Sequence, residues 1–150
     1  MVEYRATVEW QGEGDFAANR YGRAHSWSFD GGARIAASAS PQAVPPPLSD
    51  PAAVDPEEAL LAAVSSCHML WFLHLARDAG WTVLRYRDEA AARLGKDERG
   101  RMAIAAVRLH PKIAFAGAAP DAAALAGLHE AAHERCYIAN SLRCPVTVES

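Results

Sequence analysis

The chain has too little charge of one sign to mark a nucleic-acid binder. Its fifteen Lys and Arg are scattered among eighteen Asp and Glu, for a net charge of −3. No basic face is implied, and no nucleic-acid partner is expected. Met1–Trp10 lacks the basic start and apolar run of an export signal. Cysteine is scarce as well, with three in the chain. Three thiols without a leader predict a reducing, cytoplasmic setting, where cysteine is kept for chemistry or packing. Uninterrupted apolar runs are also missing. The longest, Ala59–Ala76, is broken by Ser65, Ser66, His68 and His74, which suits a buried core helix better than a membrane span. No internal repeat is visible, and 150 residues make about one domain. A single domain over 1–150 is therefore expected, large enough to bury roughly two thirds of its unfolded surface without staples.

What is present organises itself by period. Val2, Tyr4, Ala6, Val8 and Trp10 alternate with polar residues and predict a strand over Met1–Trp10. Gln11–Asn19 reads as a polar loop. Tyr21–Phe29 and Ala33–Ala37 read as strands joined across Asp30-Gly31-Gly32, which has hairpin chemistry. Pro41–Asp55, with Pro45-Pro46-Pro47 at its centre, cannot enter a sheet. Asp55-Pro56-Glu57-Glu58 then carries the signals of a helix start: a capping residue, Pro at the first position, and Glu three residues after the cap. Gly80 is a stop signal, giving a helix over 56–79 that is apolar nearly all round. Trp81–Leu94 and Arg101–Phe115 predict two long strands about the turn Gly95–Gly100. Pro120–Arg135 predicts a second helix, Cys136–Leu142 a short helical turn, and Pro145–Glu149 a last strand. The order β-β-β-α-β-β-α-β is that of an α+β fold, antiparallel sheet with helices segregated to one face.

Several residues could carry chemistry. Cys67, mid-helix between Ser66 and His68, reads on its own as a small buried hydrophobe. Cys136 stands where the second helix ends; if it opens the short turn, backbone N–H groups would favour its thiolate. Cys144, before Pro145, reads as structural, with competition with Cys136 for the same role as the alternative. His129, His133 and Cys136 are spaced i, i+4, i+7, which would place three zinc ligands on one helical face. An exposed His pair on an Ala-rich helix is the plainer reading of the same residues.

The stretch from Asp55-Pro56-Glu57-Glu58 to Ser65-Ser66-Cys67 resembles the signature N-P-E-x-L-x-x-A-x-x-x-C of the OsmC/Ohr family. The second half is similar too: a helix, Cys136 in Arg-Cys-Tyr-Ile-Ala-Asn-Ser-Leu, then a terminal strand. The resemblance covers nearly the whole chain. It implies an intertwined OsmC-like homodimer with a long central helix and a thiol peroxidase acting on organic hydroperoxides or hydrogen peroxide, with no cofactor. By the same resemblance Cys67 is the peroxidatic thiol and Cys136 the resolving one, regenerated by a dithiol reductant of lipoyl or thioredoxin-like kind. The family's Glu falls on Glu57, and its Arg on Arg23, with Arg20 the alternative. Two departures mark a divergent branch: Tyr137 stands where Pro is usual, and His68 where an aromatic is usual. A dimer that keeps the fold and only binds small molecules is the competing expectation.

The chemistry accounts for such a site. An ordinary thiol is largely protonated at neutral pH, and a guanidinium beside it restores the thiolate. The carboxylate would hold that guanidinium as a bidentate pair. Glu57 and Cys67 stand ten residues apart on one helix, about 15 Å along its axis. For close contact at one site the carboxylate must come from a second subunit, which favours sites at a dimer interface. Met69, Leu70, Trp71 and Phe72 are expected to line an apolar pocket near Cys67.

Overall fold

The alternating N-terminus yields a strand, β1, over Ala6–Glu9. The computed structural model describes residues 1–150 throughout, and the chain divides into two compact units, Met1–Ala59 and Leu60–Ser150. In the first unit β1 pairs antiparallel with β4 (His25–Phe29), and β4 with β5 (Arg34–Ala37). The Asp30-Gly31-Gly32 hairpin forms as expected, with Gly32 at φ 91 donating its N–H to the Phe29 carbonyl. Part of the expected loop is instead a two-stranded ribbon, β2 (Gly14–Asp15) with β3 (Arg20–Tyr21). Gly14 makes it possible: at φ 90 its backbone lies so close to Arg20 that a Cβ would come within 2.3 Å of that carbonyl oxygen. Trp10, Phe16 and Tyr21 cluster around the ribbon, with ring centroids 4.7 to 5.9 Å apart. The Pro-rich stretch stays out of the sheet and meets β5 where Val54 bridges Ala37.

Helix α1 spans Pro56–Asp78. Its capping box is formed: Glu58 N–H donates to Asp55 Oδ1 at 2.8 Å, and Asp55 N–H to Glu58 Oε2 at 3.2 Å. Its end is a Schellman motif. Gly80, at φ 86, donates to Arg77 O, and Trp81 N–H reaches back to Ala76 O.

The second unit departs from the two long strands read from the sequence. Each is broken once, into β6 (Val83–Asp88) and β7 (Ala91–Lys96), and into β8 (Met102–Leu109) and β9 (Pro111–Phe115). The result is one long hairpin bent in the middle, β6 pairing with β9 and β7 with β8. The bend is held by Asp88, whose carboxylate accepts from the His110 N–H and from the Ser65 hydroxyl. Pro111, with no N–H, could not continue an unbroken ladder there. Helix α2 (Ala122–Arg135) is capped by Asp121, which accepts from Ala124 N–H at 2.8 Å. A short helix α3 (Tyr137–Asn140) follows, and β10 (Val146–Val148) closes beside β8. That last pairing is parallel, because α2 and α3 form the crossover that parallel neighbours need. Two apolar clusters hold the unit. Val64, Val107 and Leu109 anchor one, with Cys144 packed against it; Phe72, Ala76 and Ala132 anchor the other.

Candidate active site

Two thiols meet where α1 passes the junction of α2 and α3. Cys136 is both the C-cap of α2 and the N-cap of α3, and it is fully buried. Its Sγ accepts the Ala139 N–H at 3.4 Å, lies 4.0 Å from the Val64 carbonyl of α1, and has the Cys67 side chain as a neighbour. Cys67 is half-buried, so one residue of the pair is partly open and the other sealed. The sequence left open a lowered pKa for Cys136 if it began a helix. It does begin one, but burial and the neighbouring Cys67 outweigh the Ala139 and Ile138 N–H groups and push the thiol up to about 11. Cys136 therefore rests as a thiol.

Tyr137 follows Cys136, and Trp71 follows Cys67 by one helical turn. Their rings meet edge to face at 5.8 Å, and the Arg135 guanidinium lies 5.8 Å from the Trp71 ring. Of the other residues expected to line a pocket, Leu70 also lies within one turn of Cys67, whereas Met69 and Phe72 fall on other faces, because successive helical positions turn by about 100°. Met69 is half-buried, Leu70 is 61% exposed, and Phe72 is sealed in the core. Phe72 is a packing residue, stacked on His129.

The alternative zinc face of His129, His133 and Cys136 is not assembled. His129 is buried, not exposed, and its Nδ1 lies 3.0 Å from His68 Nε2 on α1. No group of three or more His, Cys, Asp or Glu is arranged to hold a metal. The pairing of His68 with His129 was missed from the sequence. The signal for half of it was present: Val64, His68, Phe72 and Ala76 recur every four residues and form the buried face of α1. The role of Asp88, bonded to Ser65 two residues before Cys67, carried no sequence signal.

Arg23 and Glu57 belong to the first unit. Arg23 is held locally: its guanidinium donates to the Tyr21 carbonyl and to Asn19 Oδ1 at 2.7 Å, and lies over the Tyr21 ring at 3.5 Å. Arg20 pairs with Asp15 at 3.5 Å. Glu57 is exposed in the first turn of α1 and forms no ion pair with either arginine of its own chain.

Residues 49–150 match the family profile of OsmC-like proteins. Among solved structures, an OsmC-like protein of unknown function from Vibrio cholerae is 47% identical, with a TM-score of 0.97 and 99% of each chain covered. An organic hydroperoxide resistance protein from Elizabethkingia anophelis superposes with a TM-score of 0.68 at 20% identity, covering 99% of this chain and 98% of that one. An organic hydroperoxide resistance protein OsmC from Legionella pneumophila gives 0.66 at 18% identity, with both chains covered in full. These last two speak for the fold. No curated protein matches the chain at a significant level. With the profile spanning most of its length and a relative sharing nearly half its residues, the chain belongs to the OsmC/Ohr family of OsmC-like proteins.

Proposed function

We propose that this protein is a thiol-dependent peroxidase that reduces organic hydroperoxides through Cys67 and Cys136. The observation that carries the reading is the nearness of a half-buried thiol to a sealed one at the meeting of α1 and α2. The Cys67 thiolate attacks one peroxide oxygen, the O–O bond breaks, and the alcohol leaves once its oxygen has taken a proton. Cys67 is then a sulfenic acid. The Cys136 sulfur attacks the Cys67 sulfur, and the hydroxyl leaves as water with the Cys136 proton. The disulfide is returned to two thiols by exchange with an external dithiol. A resolving thiol should stay protonated and shielded until the sulfenic acid forms, and burial of Cys136 supports that role.

By family resemblance Arg23 supplies the cation that favours the Cys67 thiolate, and Glu57 holds that arginine from a second subunit. Trp71 and Tyr137 replace Phe72 in the proposed apolar wall, since they are the aromatic residues next to the two thiols. The proposed assembly is a homodimer working in the cytoplasm with a lipoyl or thioredoxin-like reductant. Support for the dimer comes from α1, an apolar helix of whose residues only Val64, His68, Phe72 and Ala76 are fully buried while Leu70 is 61% exposed. A surface of that kind calls for a protein partner or a bilayer, and the partly exposed His74 in the helix argues for protein.

The test is steady-state consumption of cumene hydroperoxide with dihydrolipoamide as reductant. Turnover is expected in the native protein and absent in Cys67→Ser. Turnover that survives Cys67→Ser, or no turnover with any dithiol, overturns the reading.

A further inference from the structure

The contact of α1 with α2 buries two imidazoles. His68 and His129, 1% and 4% exposed, meet there with Nε2 and Nδ1 3.0 Å apart, their rings stacked 11° from parallel. Phe72 stacks on His129 with centroids 4.5 Å apart. An apolar pair would pack the same space without burying polar atoms, so the bond calls for a reason. Its place supplies one. His68 directly follows Cys67 on α1, and His129 lies two helical turns before Cys136 on α2.

We infer that His68 and His129 are positioning residues: their hydrogen bond fixes the register of α1 against α2 and so keeps the Cys67 sulfur within reach of Cys136. The inference rests on the dithiol reading above. Leucines packed face to face can slide by an ångström at little cost, whereas a hydrogen bond weakens steeply with distance and angle. No other protein group competes for the imidazoles, since His68 Nδ1 and His129 Nε2 are buried without partners. Of the other titratable groups facing them, His133 on α2 has a buried Nδ1 that bonds neither ring, and the Asp88 carboxylate on β6 is held by Ser65 and His110. Burial keeps both rings neutral well below neutral pH, so the bond joins two uncharged imidazoles, one donating and one accepting.

The test is the equilibrium between the dithiol and the Cys67–Cys136 disulfide in a dithiothreitol buffer, read by alkylation and peptide mass, with circular dichroism confirming the fold. His129→Leu fills the space without a bond, and the disulfide equilibrium constant is expected to fall about tenfold or more, since a misplacement of about 1 Å can cost reacting groups about a hundredfold in effective proximity. His129→Asn keeps a polar atom near the Nδ1 position and is expected to stay within about twofold of native. His68→Met and His68→Gln form the parallel pair on α1, with the same split expected, and decide the matter if His129→Leu does not fold. Equal constants for native and His129→Leu overturn the inference, and so does a His129→Asn as impaired as His129→Leu. Failure of the dithiol reading looks different: no Cys67–Cys136 disulfide forms even in the native protein, and the inference falls with it.

Discussion

At the scale of single residues, the two thiols differ by environment alone. Cys67 is partly open, and Cys136 is sealed, bonded to Ala139 N–H and raised to about 11. Iodoacetamide at pH 8 should therefore modify Cys67 first and leave Cys136 untouched until the chain unfolds, as peptide mapping would show; equal labelling of both in the native protein contradicts the assigned burial. Trp71 and Tyr137 sit edge to face beside the pair. Trp71→Ala should raise KM for cumene hydroperoxide several-fold while leaving hydrogen peroxide turnover nearly unchanged, since losing an aromatic contact costs on the order of 1 kcal/mol. The thiols were legible in the sequence because a short motif marks each. His68–His129 was not, because the two residues are 61 positions apart, and only tertiary packing brings them together.

At the scale of elements, α1 announced itself fully. Asp55, Pro56, Glu58 and Gly80 are local signals, and each performs the local task that its chemistry predicts. Asp55→Ala should lower stability by about 1 kcal/mol, the usual worth of such a cap, seen as a lower midpoint in urea; no change would mean the box is ornamental. The bent hairpin was half legible. Alternation over Trp81–Leu94 and Arg101–Phe115 gave the strands, but the break at Asp88 and His110 depends on a hydrogen bond between residues 22 apart. The α1–α2 contact also predicts a pH dependence. Burial, the largest cause for both, holds His68 and His129 down to about 4, from 6.5 in the unfolded chain. Above pH 6.5 neither state takes up protons at these rings. Between 6.5 and 4 the unfolded chain binds protons that the folded one refuses, so stability falls with pH by up to a few kcal/mol. The melting temperature should be level from pH 8 to 7 and drop toward pH 4, with the drop shallower in His68→Gln/His129→Asn. An equal drop in that variant places the acid sensitivity elsewhere.

At the scale of the whole molecule, the chain leaves unusual apolar surface on view. Leu70 of α1 and Val8 of β1 are 61% and 65% exposed, although the alternation around Val8 marked one face of β1 for burial. That mismatch was not readable beforehand, because a sequence says which residues seek burial and not which molecule supplies it. Sedimentation at micromolar concentration should show a dimer, and Leu70→Glu should weaken it; a monomeric native protein contradicts the shared-site account. The claim on which the chemistry depends is narrower: one sulfur is oxidised and its neighbour on the α2–α3 junction captures it. Peptide mass mapping after one equivalent of cumene hydroperoxide tests that most directly. The account predicts a Cys67–Cys136 disulfide with Cys144 still free, whereas a Cys136–Cys144 bond, or three unmodified thiols, would contradict it.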